Sequence, residues 1–166
     1  MDSGHFYKGE FPMTLPSSKL QALGLSLPPI PPKPGSFIPA TQVGNLIYCS
    51  GQGPYQDGKH KYLGRLGKDL SLEEGYDAAQ IAALNCLAAI CGLTGSIDRI
   101  TRIIQVRAFI NSAEDFHSQP EVANGASDLL IELFGENGQH VRSALGTSNL
   151  PRNIPIEVEM IVQIDE

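Results

Sequence analysis

The chain has 166 residues, 12 Lys plus Arg against 18 Asp plus Glu, a formal net charge of −6 and 42% apolar residues. This length supports one domain whose core removes roughly 70% of the unfolded surface from water, and the apolar content excludes a chain disordered throughout. An acidic balance without Trp argues against nucleic-acid binding, while a charged fraction of 18%, below the usual ~25%, points to surface hidden against further copies of the chain.

Residues 1–35 differ from the rest. The stretch MDSGHFYKGEFP lacks periodicity, so residues 1–14 read as a dispensable tail. Asp2, Lys8 and Glu10 leave no room for a signal-peptide core, and the most apolar run, Ile81 to Leu93, has 13 residues against the ~20 of a spanning helix. A cytoplasmic protein without a membrane partner is expected. Cys49, Cys86 and Cys91 are odd in number and contain no C-x-x-C, which suits neither a disulfide framework nor a zinc site. Ser17 to Leu23 predicts two helical turns ended by Gly24. Leu27 to Gly35 carries five prolines and must be extended, a strap packed on the body through Leu27 and Ile30.

The regular domain is expected over residues 36–166. Ser36–Ala40 and Leu46–Ser50 read as strands around the turn dipeptide Gly44-Asn45. Gly51 to Lys68 reads as loop, with one short strand near Tyr62–Arg65. Ser71 and Glu74 spell a capping box opening a helix to about Cys91, stopped by Gly92 and Gly95. Ile100–Asn111 predicts a strand with Ile104, Val106, Ala108 and Ile110 on one face and Ile103, Gln105, Arg107 and Phe109 on the other. Val122, Ala126, Leu129, Leu130 and Leu133 form one stripe of a helix over 120–134. Strands over His140–Thr147 and Pro155–Ile164 complete an α+β domain: a mixed sheet with two helices on one face, the other face requiring a cover.

No phosphate loop, dinucleotide fingerprint or H-E-x-x-H occurs. His5, His60, His117 and His140 lack ligand spacing and read as surface residues, and Cys49 reads as a small core thiol. The last strands hold the informative group. If Val141, Ser143 and Leu145 face the core, Arg142 joins Gln105, Arg107, Glu157 and Glu159 on the non-helix face. Two readings stand: a solvated or intersubunit salt-bridge face, or a carboxylate-binding Arg beside a Glu that handles water.

The segments Pro34-Gly35-Ser36-Phe37, Val43 to Gln52 (VGNLIYCSGQ), Arg142-Ser143, Leu150-Pro151 and Ile156-Glu157-Val158-Glu159 occur in an order that resembles the Rid (YjgF) family, small enamine/imine deaminases of chorismate-mutase-like fold. The resemblance covers about Gly35 to Ile164. EEGYDAAQIAALN and PEVANGASDLLIELFG are similar to a longer subgroup labelled as endoribonucleases. It implies a homotrimer whose sheets form a central barrel, with clefts between subunits and no metal or organic cofactor. Arg142 then matches the arginine that grips a substrate carboxylate and Glu157 the acid that orients water. Ser50 and Gly51 match the pocket wall, and Asn124 a helix asparagine near the cleft. Phe37 stands where the deaminases carry Tyr, and Ala144 where Cys is frequent. The implied activity is hydrolysis of imine or enamine derivatives of 2-oxo acids. A binding or regulatory trimer for a small carboxylate is the alternative, and an endoribonuclease a lesser one.

Overall fold

The computed structural model describes residues 14–30 and 35–165. The expectations for the tail and for strap residues 31–34 therefore concern positions outside the described residues, apart from Thr14. Three helices, α1 (Pro16–Ala22), α2 (Leu72–Thr94) and α3 (Gln119–Phe134), accompany strands β1 (Ala40–Val43), β2 (Leu46–Gln52), β3 (Tyr55–Gln56), β4 (Lys59–His60), β5 (Ile100–Asn111), β6 (Val141–Thr147) and β7 (Ile156–Ile164). The main sheet runs β1-β2-β7-β5-β6, with β5 and β6 parallel and the other pairs antiparallel. The α+β class is as expected, and so is α1, the short helix read at Ser17 to Leu23, whose Leu20 is buried in the core.

The α2–α3 layer seals one sheet face. Both halves of the capping box form: Ser71 Oγ accepts from Glu74 N–H at 3.2 Å and Glu74 accepts from Ser71 N–H at 2.8 Å. The two helices approach so closely at Gly125 that a methyl group there would overlap the Tyr76 carbonyl. Every residue of the predicted α3 stripe is buried. Gly92 does not stop α2; the Ile30 side chain lies over it, and the helix continues to Thr94, where left-handed Gly95 (φ 84°) caps it. Leu27 packs against the core as the strap reading expects. By length and composition α2 is apolar enough to cross a bilayer, an 18-residue window reaching mean hydropathy 1.4, because the apolar residues on either side of Asn85 outweigh it. That window is 67% buried within the fold, as befits a core helix.

Several local expectations are corrected. Residues 35–37 bend, and β1 starts only at Ala40, because Pro39 has no N–H to give a ladder. No strand forms at Tyr62–Arg65. The hairpin lies earlier, at β3–β4 around Asp57-Gly58, both at positive φ (53° and 80°). Tyr62 is held by its hydroxyl donating to Asp77 of α2 at 2.7 Å. In β5 a register shift between Ile103 and Gln105 turns Ile103 into the core and leaves Ile104 half-buried.

The largest correction concerns β6. Its parallel register pairs Val106 with Arg142 and Ala108 with Ala144, so Arg142 and Ala144 lie on the helix side. Val141 and Leu145, expected in the core, point to the opposite face and are 64% and 53% exposed. At this edge strand the helix side meets the polar flank of α3 instead of its apolar stripe, which inverts the usual meaning of alternation.

Candidate active site

Arg142 occupies a polar cradle built by α3. Its Nη1 donates to Asn124 Oδ1 at 2.8 Å and to Ser127 Oγ at 3.1 Å, and its Nη2 donates to the Pro120 carbonyl at 3.3 Å. Pro120, Asn124 and Ser127 are spaced 0, 4 and 7 along the helix, a polar stripe beside the apolar one. Nη1 is thereby saturated. The Nε–H and the second Nη2–H share the free edge of the fork and have no protein partner among the described residues, an arrangement suited to two parallel bonds to a carboxylate.

Glu157 sits on the other face of the sheet. A β-bulge opposite β7 between Cys49 and Gln52 inserts an extra residue at Ser50-Gly51. The missing side chain of Gly51 makes room for the Glu157 carboxylate, which a methyl group there would overlap. Ser50 donates from Oγ to the Ile38 carbonyl at 2.7 Å and from N–H to the Pro39 carbonyl at 2.8 Å, tying the Phe37 segment to the bulge. Glu157 has no cation within salt-bridge distance among the described residues. Burial, and secondarily the Glu159 charge, hold its carboxyl above the usual range. Glu159 itself pairs with Arg107 at 2.5 Å, an exposed-side ion pair of the kind expected on that face. Alongside lies an open groove of about 420 Å³ lined by Phe37, Tyr48, Ser50, Arg107, Glu159 and Ile161 among others.

Two half-sites result. Phe37, Ser50, Gly51 and Glu157 cluster on the non-helix side. Arg142 and Asn124 meet on the helix side, and Ala144 shares that side. The expectation that Arg142 and Glu157 project from one face of one chain is overturned by the β6 register. Cys49 is 6% exposed, a core thiol as read, and burial pushes the neighbouring Cys86 thiol well above its ordinary value. His117 is exposed as expected, but His60 and His140 are half-buried. The sequence does not single out Ser127, and it reads His140 only as a surface residue. The 120/124/127 spacing was the available signal for Ser127.

Among known proteins, the family model "YjgF/chorismate mutase-like, putative endoribonuclease" matches residues 17–163. Protein TCP17 of Trypanosoma cruzi is 35% identical over 150 residues, 90% of this chain and 94% of that one. A 2-iminobutanoate/2-iminopropanoate deaminase of Dermatophagoides farinae is 29% identical over 143 residues, covering 82% and 93%. A crystal structure from Shewanella oneidensis MR-1, carrying the same endoribonuclease description, superposes with a TM-score of 0.88 at 36% identity, covering 91% of this chain and 100% of that one. A mixed sheet backed by helices, with an arginine cradled by a helix and an unpaired half-buried glutamate, thus defines a small α+β protein of a known class. The chain belongs to the YjgF/chorismate mutase-like family.

Proposed function

We propose that the protein hydrolyses small imines or enamines of 2-oxo acids without a cofactor, in clefts formed between copies of a homotrimer. The observation that carries this reading is the free Nε–Nη2 edge of Arg142, held by Asn124, Ser127 and Pro120. Arg142 and Glu157 lie on opposite sheet faces, so one ligand reaches both only where two copies meet. The trimer with its central barrel, expected from the family resemblance, supplies such a junction. The relative that is an imine deaminase supports the chemistry.

The reaction asks little of the protein. Arg142 binds the carboxylate and thereby places the C=N carbon. Water adds to that carbon of the N-protonated imine as Glu157 takes its proton. Glu157 returns the proton to the carbinolamine nitrogen, and ammonia departs with the hydroxyl proton, leaving the 2-oxo acid and ammonium. Burial, and secondarily the Glu159 charge, raise the Glu157 carboxyl pKa, which is the direction that makes its carboxylate a better proton acceptor. Phe37 in place of the family tyrosine favours the second reading, a trimer that binds a small carboxylate without turnover.

Ammonia release from freshly generated 2-aminoacrylate separates the two. Arg142→Lys should weaken carboxylate binding about tenfold, or roughly 1.4 kcal/mol, because a point charge cannot form the parallel pair. Glu157→Gln should spare binding and abolish most turnover. Binding and hydrolysis unchanged in both variants would overturn the site, and a salt-sensitive RNA complex would revive the endoribonuclease reading.

A further inference from the structure

Behind Arg142 a chain of polar groups runs away from its free edge. Arg142 Nη1 donates to Ser127 Oγ at 3.1 Å, Ser127 Oγ lies 2.9 Å from His140 Nε2, and His140 Nδ1 lies 2.6 Å from the Gly138 carbonyl oxygen. The proton positions follow from the partners. A carbonyl only accepts, so Nδ1 carries the hydrogen. In the neutral ring Nε2 is then an acceptor, and the Ser127 hydroxyl donates to it. The hydroxyl's lone pairs are left for the Arg142 N–H. Ser127 is 7% exposed, which leaves little water to substitute for either partner.

The surroundings keep the ring neutral. Burial lowers the His140 pKa, the Gly138 bond opposes that, and the Arg142 charge reinforces it, with a net fall below 6.5. Carboxylates nearby do not reverse the balance. Asp128, next to Ser127 on α3, accepts from the Tyr76 hydroxyl of α2 at 2.8 Å, and Glu136, on the turn before Gly138, is exposed.

We infer that His140 is a positioning residue: as the Nδ1–H tautomer it orients the Ser127 hydroxyl, which holds Arg142 Nη1 and so aims the Nε–Nη2 edge at a ligand carboxylate. His140 touches no ligand. The inference rests on the reading of Arg142 as the anion anchor, but its core is a claim about rigidity that needs no ligand to test.

The experiment uses full-length protein with 15N-labelled histidine and arginine at pH 7. The His140 nitrogens should show the Nδ1–H tautomer, and the Arg142 guanidinium should rotate slowly about Nε–Cζ. His140→Gln keeps an acceptor oxygen near the Nε2 position and should preserve the slow rotation. His140→Phe, similar in bulk but without an acceptor, should release it and weaken pyruvate binding about tenfold, against threefold or less for His140→Gln. Ser127→Ala carries the same expectation as His140→Phe and replaces it if that variant does not fold. An Nε2–H tautomer, or a guanidinium as rigid in His140→Phe or Ser127→Ala as in the native protein, would overturn the inference. Native protein with the expected tautomer and rigidity but no pyruvate binding would support the positioning role and overturn the anchor reading instead.

Discussion

Glu157 shows how a single carboxylate reports on its surroundings. Its pKa is raised by burial first and by Glu159 second, so the folded chain holds that proton to higher pH than the unfolded chain does. The destabilisation is fully present above the raised folded value, shrinks as pH falls through it, and vanishes below the unfolded value near 4.5. Glu157→Gln should therefore melt slightly higher than the native protein at pH 7, by under about 1 kcal/mol because water screens a half-exposed group, and the two melting curves should converge by about pH 4. A gap of the opposite sign at pH 7 would mean that a guanidinium of another copy pairs with Glu157, the intersubunit salt-bridge reading. The identity of this residue was legible in the E-x-E motif. Its environment was not, since the extra residue at Ser50-Gly51 depends on how β2 registers against β7, and no local pattern encodes that.

At the scale of elements, packing decides what periodicity leaves open. The α3 stripe, the capping box of α2 and the alternation of β7 were all readable, because each is a local pattern buried against one continuous core. β6 was misread because alternation states which residues share a face, not which face is which. On an edge strand beside a polar helix flank, the apolar set Val141 and Leu145 points away from the helices. Ile103 was misplaced for a related reason, since a bulge shifts the face assignment without changing composition. The α2–α3 contact yields a sharp expectation. At Gly125 a methyl group would meet the Tyr76 backbone carbonyl, which cannot swing aside as a side chain can. Gly125→Ala should force the helices apart and cost about 2–3 kcal/mol in chemical denaturation. It should also disturb the Arg142 cradle, because Asn124 and Ser127 flank Gly125 on the same helix. A variant of native stability would show that the two helices slide past each other without strain.

Across the whole molecule, the sheet has one face sealed by α2 and α3 and another carrying Tyr48, Val141 and Leu145 at 42%, 64% and 53% exposure. Polar groups are mixed with them on that face, among them Thr41, Ser50, Gln105, Ser143, Gln163, the Arg107–Glu159 pair and half-buried Glu157. Such a face suits a second copy of the sheet, consistent with the low charged fraction of the chain. The proposed clefts depend on the same junction, because Arg142 and Glu157 cannot reach one small ligand from opposite sides of one sheet. Leu145→Glu should then separate assembly from folding. Its side chain points away from the core, so the protomer should keep its helical circular dichroism and a cooperative melt. A charge buried at the junction without a partner would cost several kcal/mol per copy, enough to convert a sedimenting trimer into monomer at micromolar concentration. Carboxylate binding at Arg142 should weaken only as far as the neighbouring copy contributes, whereas turnover, needing Glu157 from across the cleft, should disappear with the trimer. A native chain that already sediments as a monomer, or a monomeric Leu145→Glu variant that still releases ammonia at the native rate, would refute the shared cleft and require another route by which the two half-sites meet.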